Sequence, residues 1–486
     1  MSNETTDSST ERLHRLVDQL LVRDANAHAA AIEELTERGD ERVIPHLLEL
    51  LVIDSIANDW EQFGFPAVLR NHDPPRYLEL PAVSWPGVAD ALAMLAEPNF
   101  DSSHAWVEWE SWYSQQSIEP LSGFDEWKLQ LYHSYLPPVG GLLDCTPRSF
   151  DLQEIRWGNC DRSFLAALNG PDFVASEAVD AGDATTADQR QDIKKTNFER
   201  YLKDDDIVFG FELGGVQYAV PRWVLFPHEL LNAELQDIPV SLTYCTLCNA
   251  PILYDRRVED ETHTFGSSGM LASGNKVMYD EETETLWDQH AGVPIGGPFL
   301  DSHPDLVLDQ FPITQTTWNE WKTEYPETLA LDIETGFDYD YTQYDGNIGF
   351  FEHYWNKEEI VQPGVHREDS TLPEKADVYG LPSSDGSEVW VVPVSAVSES
   401  GVVASEADGR DIVAVLDATS DVAVYKAPPR PVERVDDGLI DANGTLWSVT
   451  RTELVSTGGD TRKRIPGRHG LWFAFRTHYD DVHIVQ

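Results

Sequence analysis

Two of the four cysteines in this 486-residue chain stand close together, as Cys245-Thr246-Leu247-Cys248. Two thiols at this spacing reach a common point, where they bind a soft metal or exchange between dithiol and disulfide. Apolar runs at 238–242 and 251–254 flank the pair and predict two short buried strands. The sequence therefore predicts a thiol site on a tight connection between two strands.

Further soft or borderline metal ligands lie near the pair in sequence. His228 precedes it and Met278 follows it. Cys, His and Met are the ligands that select Cu(I) or build copper sites of the cupredoxin type. A structural zinc site usually takes four ligands, and the other two cysteines, Cys145 and Cys160, lie far upstream. The sequence favours a soft-metal site, copper before zinc or iron, formed by Cys245, Cys248, His228 and Met278.

Two other functions fit the same residues. One is a thiol–disulfide redox site, although flanking strands and Pro251 differ from the helix N-terminus that lowers a thiol pKa in thioredoxin-like proteins. The other is a structural or partner-binding scaffold in which the thiols are simply buried. The sequence contains no phosphate-binding loop, dinucleotide fingerprint, His-Glu-x-x-His or Gly-x-Ser-x-Gly motif, so it assigns no reaction and leaves open whether the protein is an enzyme.

Other polar, aromatic and sulfur-containing residues converge on the same segment and are candidates for lining a pocket there. They are Asn232, Tyr244, Arg256, Met270, Asp280, Trp287 and Gln289. Trp287 and Gln289 alternate along one predicted strand and therefore share a face. Met270 and Met278 also suit the role of core fillers, which is the usual role of methionine.

A helical region precedes the thiol segment. Residues 1–136 carry apolar residues at helical period, and the stretch 39–48 resembles a HEAT repeat. Tryptophan and tyrosine residues crowd the stretch 106–135, which predicts a helix buried against the next domain rather than an aromatic pocket. The Pro-Pro-Val-Gly-Gly run at 137–141 predicts a linker or the entry to a domain.

Short strands then replace the helical pattern. Residues 150–345 form the predicted β-rich domain that carries the Cys pair, with a helical stretch at 223–235 that contains His228 and a closing helix at 318–325. The predicted fold class is α+β, with a helical N-terminal region followed by a β-rich body with short helices.

Residues 375–486 repeat the β-rich body in shortened form. Three motifs recur in the same order: Val208-Phe209-Gly210 as Val378-Tyr379-Gly380, Thr285-Leu286-Trp287 as Thr445-Leu446-Trp447, and 318–325 as 472–479. The sequence therefore predicts a degenerate tandem duplication. The second copy contains no cysteine, so we expect it to pack against the first copy rather than share its thiol chemistry.

The whole chain is strongly acidic. Its 34 Lys and Arg residues and 85 Asp and Glu residues give a net charge of −51. Such a surface repels phosphate and anionic lipid, which argues against nucleic-acid and membrane partners. Scarce lysine and abundant acid are typical of halophilic proteins, in which high salt screens self-repulsion. The sequence shows no leader peptide and no apolar stretch of about 20 residues, so we expect a cytoplasmic protein. A protein partner docking on the helical region is the remaining candidate, and the oligomeric state stays open.

Six motifs in order resemble the prokaryotic family called domain of unknown function 3179, over residues 155–331. They are 204–210 with 218–221, His228-Glu229-Leu230-Leu231-Asn232, 243–248, Phe265-Gly266-Ser267-Ser268-Gly269, Val277-Met278-Tyr279-Asp280 and Thr285-Leu286-Trp287. The resemblance implies no activity. It implies that the signature positions are His228, Asn232, Cys245, Cys248, Met278, Asp280 and Trp287.

This chain departs from the family pattern twice. Asn232-Ala233 stands where the family usually has Asn-Asp, and Cys245-Thr246-Leu247-Cys248-Asn249 stands where it has Cys-Pro-Leu-Cys-Gly. The candidate ligands are kept while a neighbouring acid is lost, which argues against a catalytic role for that acid here.

Overall fold

Helices form the first part of the chain. The computed structural model describes residues 2–59, 84–96, 98, 106–113, 116–158, 160, 162, 166–182, 200–337, 341, 371–384, 386–436, 438–479 and 481–485. A short 3-10 helix at Glu41–Val43 precedes α3. The helices of the N-terminal region are α1 (Ser2–Gln19), α2 (Ala25–Arg38), α3 (Ile44–Asp59), α4 (Val88–Ala96), α5 (Trp106–Tyr113), α6 (Phe124–Tyr135) and α7 (Pro137–Leu143).

Local sequence signals set the ends of α2. The Asp24 side chain accepts hydrogen bonds from the backbone N–H groups of Asn26 and Ala27, at 2.9 and 3.3 Å. These bonds satisfy donors that the first turn of a helix leaves free. Gly39 ends the helix at φ 64°, a left-handed conformation that glycine adopts without steric cost.

The first β-rich copy supplies three five-stranded sheets. In spatial order these are β18-β6-β7-β19-β3, β17-β10-β9-β8-β2 and β1-β13-β14-β15-β16. The strands are β1 (Ile155–Trp157), β2 (Leu168–Asn169), β3 (Phe173–Ala175), β4 (Asp180–Gly182), β5 (Leu202–Lys203), β6 (Ile207–Leu213), β7 (Val216–Pro221), β8 (Leu230–Leu235), β9 (Ile238–Cys245), β10 (Ala250–Asp255), β11 (Arg257–Val258), β12 (Glu261–Thr262), β13 (Phe265–Ala272), β14 (Asn275–Asp280), β15 (Leu286–Asp288), β16 (Val293–Gly296), β17 (Gln310–Phe311), β18 (Thr314–Thr317) and β19 (Leu329–Leu331). Its short helices are α8 (Ser176–Val179), α9 (Arg222–Leu225), α10 (Pro298–Ser302) and α11 (Trp318–Glu324).

The second copy repeats this plan with fewer strands. Its sheets are ordered β30-β20-β21-β31, β22-β23-β24 and β25-β26-β27-β28-β29. The elements are β20 (Asp377–Pro382), β21 (Glu388–Pro393), α12 (Val394–Ser400), β22 (Val402–Ala407), β23 (Arg410–Leu416), β24 (Val422–Lys426), β25 (Glu433–Val435), β26 (Gly438–Ile440), β27 (Leu446–Val449), β28 (Glu453–Ser456), β29 (Thr461–Lys463), β30 (Arg468–Leu471), α13 (Trp472–His478) and β31 (Asp481–Ile484).

The first sheet of each copy has the same topology. In the first copy, β18–β6 and β6–β7 are antiparallel and β7–β19 is parallel. The second copy has the same order of directions, with β30–β20 and β20–β21 antiparallel and β21–β31 parallel. A Cβ atom on Gly210 would lie 2.3 Å from the Trp321 ring, and one on Gly380 would lie 2.1 Å from the Phe475 ring. Each closing helix therefore packs an aromatic ring on a strand glycine, and the structure agrees with the predicted duplication.

The helical region packs on the third sheet of the first copy. Trp109, Trp127 and Tyr132 are buried, and they share one apolar core with Met270 and Tyr279 of β13 and β14. The crowded aromatic residues therefore form a helix–sheet interface, as predicted. Among the described residues, no helix is long and apolar enough to cross a membrane.

Two local predictions are wrong. The stretch 223–235 is not one helix, because α9 ends at Leu225 and the chain becomes strand β8 from Leu230. Pro227 lacks an N–H and its ring clashes with a continuing helix, and Glu229 adopts φ 55°, so His228 lies in a turn. Of the two predictions for 137–141, the linker is wrong, because the run belongs to α7. Proline is tolerated in the first helical turn, and Gly140 permits close packing on the backbone of α6.

Candidate functional site

The Cys pair lies in the turn that joins β9 to β10. Both strands are buried along nearly their whole length, and Cys245 is the Cα partner of Ala250 in the antiparallel register. Asn249 closes the turn at φ 49°, a conformation that asparagine tolerates better than most residues. The two strands predicted around the pair are confirmed. The turn brings the sulfur atoms to 2.8 Å from each other, and the residues are only 1% and 0% exposed.

The two sulfurs have different surroundings. Cys245 Sγ lies 2.8 Å from Cys248 Sγ and accepts a hydrogen bond from the Cys248 backbone N–H at 3.4 Å. Cys248 Sγ also lies 3.1 Å from the carbonyl oxygen of Gly274 and 3.2 Å from Oδ1 of Asn275. A backbone N–H thus points at Cys245, and two oxygen acceptors lie around Cys248.

This asymmetry separates the pKa values of the two thiols. Burial opposes ionisation of Cys245, but the hydrogen bond from Cys248 and the backbone N–H groups of Cys248 and Lys276 outweigh it and lower its pKa. Burial raises the pKa of Cys248 well above its usual value, and the hydrogen bond to Cys245 raises it further. Of the two thiols, Cys245 is therefore the one that ionises first.

A buried ion pair lies beside the thiols. Lys276 Nζ is 3.0 Å from Oε2 of Glu229 and donates to the carbonyl oxygens of Glu229 and Tyr244 at 2.9 and 3.4 Å. Thr246 and Ser267 donate to the Glu229 carboxylate at 3.1 and 3.2 Å. The lysine charge is thus already paired, and the network fixes β8, β9 and β14 around the Cys turn.

The second copy closes the site from the other side. The N–H of Leu471 donates to the carbonyl oxygen of Cys248 at 2.9 Å. Phe473 and Ala474 of α13 form one apolar cluster with Cys245, Cys248, Ala250 and Leu471. The predicted packing of the second copy on the first is therefore present, and it seals the thiols.

The same helix adds titratable groups that sequence reasoning missed. His478 of α13 is hydrogen-bonded to Asp288 of β15, although 190 positions separate them. His290 lies beside them, with its ring centroid 5.3 Å from that of His478. It is fully buried, and neither ring nitrogen has a hydrogen-bond partner among the described residues. Burial, the largest cause, and the nearby His478 and Arg468 lower the pKa of His290 well below its usual value, so its ring is neutral.

Asp288 connects this cluster to the thiols. Burial alone would raise the pKa of Asp288, but the adjacent His478 lowers it, so the carboxylate is charged. Its negative charge is one of the causes that raise the pKa of Cys248. The sequence did contain one signal for His478. The alignment of 472–479 with 318–325 places this histidine where the first copy has Glu324.

The other two predicted metal ligands lie in different surroundings. His228 Nδ1 lies 2.8 Å from the carbonyl oxygen of Ala166, and Nε2 lies 2.6 Å from the hydroxyl of Tyr341, so both ring nitrogens are engaged. Burial lowers the pKa of His228 to about 4. Met278 packs in a separate apolar cluster with Phe265 and Trp287.

The predicted pocket residues divide into four groups. Gln289 and Tyr244 support the Cys turn, because Gln289 Nε2 donates to Thr243 and Ala250 at 2.8 and 3.1 Å and the Tyr244 hydroxyl donates to Asn249 at 3.2 Å. Asn232 ties β8 to β13 through the backbone of Phe265. Met270 lies in the core shared with the helical region. The remaining three, Arg256, Asp280 and Trp287, lie around His263, where Arg256 donates to the His263 carbonyl and Asp280 accepts from Trp287 at 2.9 Å.

The family described as Protein of unknown function (DUF3179) matches residues 178–482. The match extends through the second copy, beyond the segment 155–331 in which the motifs were recognised. No curated protein and no solved structure matches the chain.

Proposed function

This chain belongs to the family described as Protein of unknown function (DUF3179), and we propose from its own geometry that Cys245 and Cys248 form a redox-active dithiol that cycles to a disulfide. The single observation that supports this function is the distance of 2.8 Å between the two buried sulfurs. The attacking species in thiol–disulfide exchange is a thiolate, and Cys245 is the thiol whose pKa is lowered.

The exchange proceeds in two balanced steps. The Cys245 thiolate attacks a substrate disulfide, forms a mixed disulfide and releases one substrate thiolate. Cys248 then loses its proton and attacks the Cys245 sulfur of the mixed disulfide. This step releases the second substrate thiolate and leaves a Cys245–Cys248 disulfide, so the substrate gains two electrons and the protein loses two.

Access is controlled by α13. Both sulfurs lie beneath Phe473 and Ala474, so a substrate disulfide reaches Cys245 only when this helix moves. A cytoplasmic location, as the sequence predicts, would keep the resting pair reduced. The buried-scaffold alternative gives the same burial but requires no difference in pKa between the two thiols.

The test is equilibration with glutathione redox buffers in high salt, followed by acid quenching and mass analysis of the intact protein. We expect a single two-electron transition in the parent. Cys248→Ser should instead accumulate one glutathione on Cys245, because the resolving thiol is gone. Cys160→Ser is the matched control and should behave as the parent. A dithiol that stays reduced across the whole range would reject the redox function and leave the scaffold.

A second candidate, the soft-metal site, is favoured by one observation. Cys248 Sγ faces two acceptors, the Gly274 carbonyl oxygen and Asn275 Oδ1, and its single S–H proton cannot serve both well. Two thiolates and an amide oxygen would suit copper before zinc or iron. His228 and Met278 take no part in this version of the site, because they are engaged elsewhere.

Elemental analysis of the purified protein tests the metal candidate. We expect close to one metal per chain in the parent and none in Cys245→Ser if the thiols bind it. Cys145→Ser is the control, because this cysteine packs against Gly296 outside the Cys turn. Metal-free parent protein with an intact fold would reject the candidate.

A further inference from the structure

A second cluster of ligating groups lies at the β14–β15 turn. Nδ1 of His263 is 3.4 Å from Oδ1 of Asp280 and 3.6 Å from Oε2 of Glu282. One ligand atom from each residue lies within 4.8 Å of the others, and in the described part of the chain this is the group of three His, Cys, Asp or Glu residues that meets this spacing. We propose that His263, Asp280 and Glu282 bind a first-row divalent cation of the Zn²⁺ or Mn²⁺ class.

The imidazole is the observation that points to a ligand. His263 is only 1% exposed, and its Nδ1 forms no hydrogen bond within the described residues. A buried polar atom without a hydrogen bond costs free energy, so its position requires another partner. Both neighbouring oxygens belong to carboxylates, and a cation bound between them and the ring nitrogen would satisfy all three groups.

The two carboxylates are held in place by other bonds. Asp280 accepts from the Thr283 backbone N–H at 2.7 Å and from Trp287 Nε1 at 2.9 Å. Glu282 accepts from the Thr264 backbone N–H at 2.8 Å. Bonds of this kind orient metal ligands before the metal arrives. The Glu282 side chain is 38% exposed, which gives the cation a path from solvent.

The second copy provides an internal comparison. There Asp441 accepts from Trp447 Nε1 at 3.1 Å and from the N–H groups of Asn443 and Thr445, so the same Asp–Trp turn is built again. The backbone bond from Glu281 to Thr264 corresponds to the bond from Ala442 to Pro429. This register aligns His263 with Pro428 and Glu282 with Asn443.

The comparison separates turn architecture from cation binding. The turn folds in the second copy without an imidazole or a second carboxylate, so His263 and Glu282 are not needed to build it. One nitrogen and two oxygens suit borderline divalent cations, and three protein ligands leave at least one position open to water. The nearby Arg256 guanidinium reduces the negative charge around the site without cancelling two carboxylates.

The experiment measures Zn²⁺ and Mn²⁺ binding to the full chain by equilibrium dialysis in high salt. A Cys245→Ser/Cys248→Ser background removes the dithiol, so the result is independent of the proposed function. We expect one tight equivalent of either cation above the weak background of the acidic surface. His263→Ala and Glu282→Gln should each weaken it by more than about 100-fold, because even the loss of second-shell support costs about 10–100-fold.

Glu281→Gln is the matched control. It removes the same charge from the exposed neighbouring residue and should keep the tight equivalent. Glu282→Gln alters a partly exposed side chain, so the test survives if His263→Ala fails to fold. Equal binding by Glu281→Gln and Glu282→Gln would mean nonspecific binding to the acidic surface and would overturn the proposal. Absence of a tight equivalent in the thiol-free parent would overturn it as well.

Discussion

At the scale of single residues, the proposed function depends on the difference in pKa between the Cys245 and Cys248 thiols. Cys245 accepts from a backbone N–H and Cys248 faces two oxygen acceptors, although both residues are equally buried. Burial alone would raise both pKa values together. The hydrogen bonds of the turn are therefore what separates the two pKa values, lowering that of Cys245 and raising that of Cys248.

Cys248→Ala tests this asymmetry directly. The substitution removes the Cys248 thiol, whose hydrogen bond with Cys245 lowers the pKa of Cys245, so that pKa should rise. Cys248→Ser keeps an O–H donor and should keep the pKa lowered. Thiolate absorbance in the ultraviolet, followed against pH as the difference from Cys245→Ser, gives the value. Equal pKa values of Cys245 in the Ala and Ser variants would contradict the assignment of Cys248 as the donor.

At the scale of elements, helix α13 decides whether the thiols meet solvent. Its residues Phe473 and Ala474 pack on the Cys pair, and Thr477 Oγ1 donates to the carbonyl oxygen of Ser273 at 2.9 Å. The helix is short, so tertiary packing rather than helix propensity holds it in place. Weakening that packing should open the site without unfolding the sheets.

Phe473→Ala should accelerate alkylation of the Cys pair in the native state. Replacing a buried phenylalanine by alanine lowers the free energy of unfolding by about 3–5 kcal/mol. Here the lost contacts are those that hold α13 over the thiols. Phe211→Ala is the control, because it removes an equally buried ring from the first-copy core formed with Tyr218. Labelling rates by mass spectrometry, compared at matched stability, should rise only for Phe473→Ala. Equal rates in the two variants would mean that global unfolding exposes the thiols.

A second contact between elements joins the helical region to the β-rich body. Glu49 of α3, Glu110 of α5 and Lys128 of α6 surround Arg156 of β1, and all four are buried. Burial raises the pKa of Glu110 to about 8 and lowers that of Lys128 to about 8. These buried charges therefore make the contact sensitive to pH.

The sign of the pH effect follows from Glu110. Its folded pKa exceeds its ordinary value of 4.5, so the folded protein binds more protons and stability falls as pH rises toward about 8. Glu110→Gln should remove this fall, which is at most about 1.4 kcal/mol per pH unit. Denaturant-induced unfolding at about pH 6 and about pH 8 measures this decrease in stability, and Glu119→Gln, at an exposed position, is the control. Above pH 8 the lowered pKa of Lys128 acts in the opposite direction. An unchanged slope in Glu110→Gln would contradict the assignment.

At the scale of the whole molecule, charge and duplication dominate. A net charge of −51 is spread over a fold whose two copies interlock, since each copy docks the β-hairpin turn of the other. The first-copy turn at Cys248 bonds to Leu471, and the second-copy turn at Asp421 accepts from the N–H of Gln315 at 3.1 Å. Separating the copies would therefore expose the thiols. Docking of a protein partner on the helical region stays a prediction.

Salt dependence tests the halophilic interpretation. The Debye length falls from about 10 Å at 0.1 M salt to about 3 Å at 1 M salt. Repulsion among surface carboxylates should therefore weaken steeply over this range. We expect Tm to rise with KCl concentration over this range. Tetramethylammonium chloride, which screens without entering carboxylate sites, is the control for specific cation binding. A flat Tm would contradict destabilisation by surface charge.

The sequence by itself determined the local elements and their repetition. Short apolar runs on both sides of Cys245 and Cys248 predicted two strands and a turn, because such patterns depend only on a few neighbouring residues. The paired motifs at Gly210 and Gly380 revealed the duplication for the same reason. Only Pro227, inside an otherwise helical pattern, signalled that 223–235 would not be one helix.

The tertiary structure decided which side chains meet. Nearness in sequence suggested His228 and Met278 as companions of the thiols, while the fold brings Asp288, His290 and His478 to that side of the molecule. The candidate cation site of His263, Asp280 and Glu282 likewise emerged only from the structure. Comparison of the two copies was needed to distinguish these ligands from the residues that build the turn. Strand pairing and packing between copies join residues far apart in the chain, and no local pattern records those contacts.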